Sequence, residues 1–170
     1  VFNAAAALGV PVAAIADPFD SVTFCLSKAL CAPVGSVLCG SKEFIDRSRR
    51  IRKQLGGGMR QVGVLAAAGL VALRDIPQTL AEDHRRASML AEKLEKAGMA
   101  LSMGSPQTNM VFVELPANLQ ISAEELIGKL AKNEIRIGKV GPRHFRLVVH
   151  HWIMDEDIDR VAQLITQFLY

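Results

Sequence analysis

Aromatic side chains are scarce in this chain: they make up 5% of 170 residues, with a single Trp and a single Tyr. Few rings are therefore available for stacking on bases, and a formal charge of only +3 gives no further argument for a nucleic-acid partner. No uninterrupted apolar run approaches the ~20 residues that cross a bilayer, so no membrane partner is expected. Cysteine is limited to Cys25, Cys31 and Cys39, without Cys-x-x-Cys spacing or paired histidines. That pattern supplies neither a zinc-type ligand set nor an even disulfide framework, and no metal is expected. Thiols in or beside apolar segments suit a reducing compartment, cytoplasmic with the mitochondrial matrix as the alternative. Val1 stands where Met would start a chain, and no basic leader precedes the Ala-rich stretch 1–12. The expectation is a segment from inside a longer protein, without a signal peptide. Internal repeats and low-complexity tracts are also missing.

What is present is apolar. Half the residues are hydrophobic, mostly Ala, Leu and Val, which suits an α/β protein of one domain, or one and part of another. Residues 1–8 read as a short helix capped by Gly9, and Asp17-Pro18 as a turn. Two apolar strands follow, 19–26 and 34–39, paired as antiparallel neighbours. Ser41 is the N-cap of a helix to about Leu55, with Phe44, Ile45, Ser48 and Ile51 on one side. Arg47, Arg49, Arg50, Arg52 and Lys53 on its other faces read as a solvated surface, or as one that meets a partner subunit. Residues 62–73 are almost wholly apolar and are expected to form a helix covered on nearly every side, by other sequence or another subunit.

Composition changes near Pro77, where the expected boundary falls: 1–76 as the end of an α/β unit and 77–170 as a small α+β domain. Pro77 opens a long helix with Leu80, His84, Ala87, Leu90, Ala91 and Leu94 on one face, ended by Gly98. Strands are expected at 109–115, 135–137 and 145–150, forming a three-stranded, mainly antiparallel sheet with helices on one side. Ser122 with Glu125 reads as a capping box. The last helix begins at Asp155, with Ile158, Val161, Ala162, Ile165 and Phe168 as its buried stripe.

Three places carry candidate chemistry. Lys28 follows an apolar strand and precedes small residues, with Ser27 beside it. It is either a surface lysine whose stem lies along apolar surface or a Schiff-base lysine, because an amine is nucleophilic only where desolvation or a nearby cation leaves it unprotonated. Ser27 could donate to a phosphate. Gly56-Gly57-Gly58-Met59-Arg60-Gln61 is either a flexible connection or a loop that brings backbone N–H groups and Arg60 to an anion at a helix N-terminus. It lacks the Lys-Ser/Thr ending of a nucleotide P-loop. Arg60 in an apolar neighbourhood would need an anionic partner. Arg146 lies within the strand 145–150, either facing solvent or holding a substrate carboxylate with its planar fork. His144, His150 and His151 read as polar strand-end residues, and Arg143 and His144 as loop.

Cys25-Leu26-Ser27-Lys28-Ala29-Leu30, Pro33-Val34-Gly35-Ser36, Gly56-Gly57-Gly58-Met59-Arg60-Gln61 and Ala66-Ala67-Ala68-Gly69 occur together and in order. With Glu82-Asp83-His84, Thr108-Asn109-Met110 and Arg146-Leu147-Val148, this series resembles the low-specificity L-threonine aldolases across nearly the whole chain. The resemblance implies the end of a fold type I (aspartate-aminotransferase-like) large domain followed by a small domain. It implies the cofactor pyridoxal 5'-phosphate, bound as a Schiff base to Lys28, with Ser27 near its phosphate and Arg60 reaching that phosphate across a subunit interface. Arg146 would bind the carboxylate of an amino-acid substrate, and the reaction would cleave L-threonine or L-allo-threonine to glycine and acetaldehyde. A homo-oligomer, dimer or tetramer, is implied for the full-length parent. The family's phosphate-binding Gly/Thr loop, ring-stacking histidine and pyridine-binding aspartate have no counterpart here, and Ala29 stands where the family has Gly. Activity of the isolated piece is therefore left open. A β-eliminating amino-acid lyase of the same fold is the alternative enzyme. A non-catalytic interaction fragment, using 47–53 and 62–73, is the alternative of another class.

Overall fold

The computed structural model describes residues 1–102 and 104–170. The chain divides into two compact units, Val1–Thr79 and Leu80–Tyr170.

The first unit opens with α1 (Phe2–Leu8) and α2 (Val12–Ala16). Gly9 ends α1 at φ 64, a left-handed conformation that glycine adopts without a Cβ penalty. Strands β1 (Ser21–Cys25) and β2 (Ser36–Gly40) pair antiparallel from Ser21↔Gly40 to Cys25↔Ser36. Helix α3 (Lys42–Gln54) starts as its cap chemistry dictates, with the Phe44 N–H donating to Ser41 Oγ at 3.2 Å. Helix α4 (Gly63–Asp75) follows, then a 3-10 turn over Pro77–Thr79. Pro77 thus opens a turn and not the long helix itself, which begins at Leu80.

The core of this unit is small. Leu26, Leu30, Ala32 and Ala72 are buried, with Phe2, Phe24, Val37, Leu73 and Ile76 packed against them. Phe2 meets Phe24 edge to face, with ring centroids 5.1 Å apart. The expected burial of 62–73 is not seen within the chain. Only Gly69 and Ala72 of α4 are buried, while Val64, Leu70 and Val71 are exposed. One side of the helix rests on the Leu26 cluster, and no other element of the unit is available to cover the rest. Residues 63–96 are apolar enough over an 18-residue window to be weighed as a membrane span. The apolar part, however, is the 13-residue α4, about 20 Å long at 1.5 Å per residue and short of the ~30 Å hydrocarbon layer.

The second unit contains α5 (Leu80–Lys96), β3 (Ala100–Leu101), β4 (Met110–Glu114), α6 (Ala123–Lys132), β5 (Gly138–Lys139), β6 (His144–Val148) and α7 (Asp155–Leu169). Its sheet runs β3-β4-β6-β5, antiparallel throughout. Alternation in β4 and β6 sends Val111, Val113, Phe145 and Leu147 into one core with Leu90, Leu94, Leu126, Leu130, Ile158 and Ile165 of the helices. The opposite sheet face, with Met110, Arg146 and Val148, is exposed. The Ser122 cap of α6 forms, the Glu125 N–H donating to its Oγ at 3.1 Å.

Two differences from the sequence reading have local causes. The sheet has a fourth strand, β3, too short at two residues to show a period. Residues 135–137 are not a strand. Glu134 adopts a left-handed φ of 63, and its N–H and that of Ile135 close the end of α6 on Ala131 and Leu130. The chain thereby turns out of strand geometry, and Ile135 and Ile137 pack against the core instead.

Candidate active site

Lys28 stands on the crest of the connection between β1 and β2. The root of this loop is pinned by backbone bonds: the Leu26 N–H donates to Gly35 O at 2.9 Å, and the Ala32 N–H donates to Leu26 O at 3.0 Å. Above the root, the Cys31 N–H donates to Lys28 O at 2.9 Å, and Cys31 takes a positive φ of 62. Leu26, Leu30 and Ala32 point down into the small core, while Ser27 and Lys28 are exposed. The enclosure expected around the amine is therefore not built by its own neighbours. Those apolar residues pack beneath the loop and hold it, leaving the amine outward.

Arg60 lies in the turn before α4 and is exposed, contrary to the apolar setting expected for it. The cause is again α4, whose flanks are uncovered. Gly56 at φ 86 allows the chain to leave α3, and Gln61 at φ 52 aims it into α4. The N-cap residue of α4, Val62, makes no side-chain cap bond. A guanidinium just ahead of a helix start whose first N–H groups lack a capping side chain is an arrangement that accepts an anion.

Arg146 projects from the exposed face of the second unit's sheet, opposite Phe112 on β4 and Gly138 on β5. A Cβ at position 138 would lie 3.3 Å from Arg146 O and 4.0 Å from its Nε, so the glycine leaves the arginine room. The side chains of Lys28, Arg60 and Arg146 make no ion pair or hydrogen bond among the described residues. Ser27, Lys28 and Arg60 belong to the first unit and Arg146 to the second. Among the described residues no group of three His, Cys, Asp or Glu side chains could hold a metal ion.

Sequence over residues 1–118 matches the beta-eliminating lyase family. The chain belongs to that family. It is 44% identical over 159 residues to low-specificity L-threonine aldolase 1 of Arabidopsis thaliana, covering 93% of itself and 44% of that relative. It is 47% identical over 115 residues to the low specificity L-threonine aldolase of Escherichia coli K12, covering 68% of itself and 34% of that relative. It thus spans less than half the length of these curated relatives. Among solved structures, the threonine aldolase of Leishmania major superposes with a TM-score of 0.75 at 19% identity, over 99% of this chain and 49% of that one. The alanine–glyoxylate aminotransferase of Nostoc sp. gives 0.68 at 19% identity, over 95% of this chain and 51% of that one. The chain therefore has the α/β fold of these proteins over the half of each that it covers.

Two features of the chain escape the sequence reading. Asp83 is buried, 1% exposed, and neither carboxylate oxygen has a hydrogen-bond partner among the described residues. A signal was present, because Asp83 falls on the stripe of Leu80, Ala87, Leu90 and Leu94. Arg143, read as a loop residue, turns its guanidinium onto the backbone: Nε donates to Leu115 O at 2.8 Å, and Nη2 to the carbonyls of Pro116 and Leu119. No local sequence pattern marks that role.

Proposed function

We propose that this chain is the C-terminal part of a pyridoxal-phosphate-dependent lyase that cleaves L-threonine and L-allo-threonine to glycine and acetaldehyde. The observation that carries the reading is Lys28, an outward amine on a loop pinned at its root by Leu26, Gly35 and Ala32. The donor set fits the cofactor: a primary amine for its aldehyde, and for its phosphate a hydroxyl at Ser27 and a guanidinium at Arg60. When bound, the cofactor supplies an electron sink for the pair released as the Cα–Cβ bond breaks. The chain's own residues have simpler tasks. Lys28 would hold the cofactor through Nζ, its amine condensing with the aldehyde and the aldehyde oxygen leaving as water. Ser27 donates from its hydroxyl, and Arg60 donates N–H groups to the phosphate. Arg146 grips the substrate carboxylate with two parallel N–H bonds, which fixes the rotation of the substrate and so selects the bond to be broken.

The test uses the active protein. Borohydride reduction followed by peptide mapping places the cofactor mass on the peptide that contains Lys28, and L-threonine yields glycine and acetaldehyde in equal amounts. Lys28→Ala abolishes both. Cofactor retained covalently in Lys28→Ala ends the assignment. The matched family's own name favours a second reading, β-elimination; pyruvate from L-serine, with no glycine from L-threonine, would select it.

The proposal includes a homo-oligomer, supported by the apolar flanks of α4 that the first unit leaves uncovered, and sedimentation velocity reads it directly. It also includes a reducing compartment, the cytoplasm or mitochondrial matrix, supported by a sequence with three cysteines in or beside apolar segments and no even disulfide framework. Cell fractionation tests that part.

A further inference from the structure

The sheet of the second unit stops short along one edge, and a cavity occupies the gap. Strand β5 pairs with β6 only at Gly138↔Arg146 and Lys139↔Phe145. The next partner on that edge would set Arg136 opposite Val148. The left-handed turn at Glu134 takes 135–137 out of strand geometry, so the ladder ends there. On the other edge of β6, the Val149 N–H donates to Asn109 O at 2.9 Å and the Val149 carbonyl accepts from Asn109 Nδ2 at 2.7 Å. Neighbouring residues of a strand turn their N–H and C=O groups to opposite edges, so those of Val148 face the gap. They make no hydrogen bond among the described residues.

The cavity has a volume of about 330 Å³, the scale of a small-molecule site. Ile135, Ile137, Leu147, Ile158 and Val161 give it an apolar lining, and the exposed ring of Trp152 adds an aromatic face. Four charged side chains also line it, and two of them are engaged. Asp157 Oδ2 accepts from the Met154 N–H at 2.9 Å, and Arg160 Nη2 donates to Asn133 O at 2.9 Å. The side chains of Glu134 and Arg136 make no hydrogen bond or ion pair among the described residues. One cavity therefore presents a free guanidinium, a free carboxylate, an open backbone edge and an apolar lining.

That combination selects among ligands. A simple anion would meet Arg136 and leave the apolar lining wet. A hydrocarbon would fill the lining and leave both charges unmatched. A zwitterion with an apolar side chain matches every group: its carboxylate suits the planar fork of Arg136, its ammonium suits Glu134 and the Val148 carbonyl, and its side chain suits the lining. We propose that this cavity binds a free apolar α-amino acid of the size of leucine or phenylalanine. Arg146 does not line it, so the site stands whatever that arginine holds.

Isothermal titration calorimetry of the full-length protein tests the site, with L-leucine and L-phenylalanine as probes. One saturable event per chain is expected for each. Arg136→Gln, a change at an exposed residue, weakens it about tenfold or more, the effect of losing a charged hydrogen bond. Glu134→Gln weakens it several-fold, and Arg146→Gln leaves it within twofold. L-Leucinol keeps the amine and side chain without the carboxylate, and binds about tenfold more weakly. L-Asparagine has nearly the shape of leucine but a polar side chain, and is weakened to a similar degree. No saturable binding of either probe to the wild type overturns the proposal, as does equal binding to wild type and Arg136→Gln. L-Asparagine binding as tightly as L-leucine overturns the apolar class. Binding lost in Arg146→Gln and kept in Arg136→Gln assigns the probes to the substrate site and overturns this one.

Discussion

Gly69 of α4 faces Leu26 at the root of the lysine loop so closely that a Cβ at position 69 would lie 3.0 Å from Leu26 Cδ1. Glycine inside a helix costs about 1 kcal/mol relative to alanine, and this approach explains its presence. Substitution at 69 therefore tests whether the loop is held from below. Gly69→Val is expected to destabilise the protein by about 1–3 kcal/mol through overpacking, and to slow borohydride labelling at Lys28. Gly69→Ala should sit near wild type, as helix propensity offsets the crowding. Urea denaturation and peptide mapping check both.

Arg60 and Arg146 are expected to fail in different ways. Arg60→Ala should weaken cofactor retention on dialysis, with the Lys28 linkage still forming at high cofactor concentration. Arg146→Lys keeps the charge but loses the fork. It should leave cofactor absorbance intact and raise KM for L-threonine roughly 10- to 100-fold, the loss of about 1.5–3 kcal/mol that a charged hydrogen bond supplies. Absorbance titration and steady-state kinetics separate the two.

Arg143 holds the stretch after β4 by its bonds to Leu115, Pro116 and Leu119. A lysine cannot reach these carbonyls as a planar fork. Arg143→Lys is expected to cost about 1–3 kcal/mol, the price of unsatisfied carbonyl acceptors. The cofactor linkage at Lys28, in the other unit, should be unchanged. Thermal unfolding combined with cofactor absorbance checks the pair of outcomes.

Asp155, first residue of α7, takes Arg85 Nη2 at 2.6 Å and Arg86 Nε at 2.9 Å. The bonds from Arg86 and Arg85 hold its carboxyl below the usual carboxylate range. A depressed carboxyl contributes stability above its unfolded pKa of about 3.9, and that contribution is lost as pH falls through the folded value. The wild type should therefore lose stability on acidification more steeply than Asp155→Asn, with the two curves converging at low pH. Unfolding midpoints between pH 7 and 2.5 provide the comparison.

Ser41 and Ser122 are legible as caps because a hydroxyl followed three residues on by a free N–H is local chemistry. The inward alternation of β4 and β6 is legible for the same reason, since Val111, Val113, Phe145 and Leu147 need only a period of two. The residue series around Lys28, Gly56–Arg60 and Arg146 carries the family. Exposure is less legible, because it depends on cover from distant residues. Lys28 and Arg60 look enclosed in one dimension and stand outward in three. Glu134 hides its turn, being neither glycine nor asparagine, so Ile135 and Ile137 pass for a strand. Asp83 sits in a visible apolar stripe, yet its polarity invites the reader to assign it to water.

The bare flanks of α4 matter before any substrate arrives. Val64, Leu70 and Val71 are apolar surface in contact with solvent, the kind of patch that seeks other apolar matter. A newly made chain bearing it is a natural client for chaperones and a ready seed for inclusion bodies. Soluble yield, more than turnover, is then the first trait that evolution or an engineer would adjust at these positions.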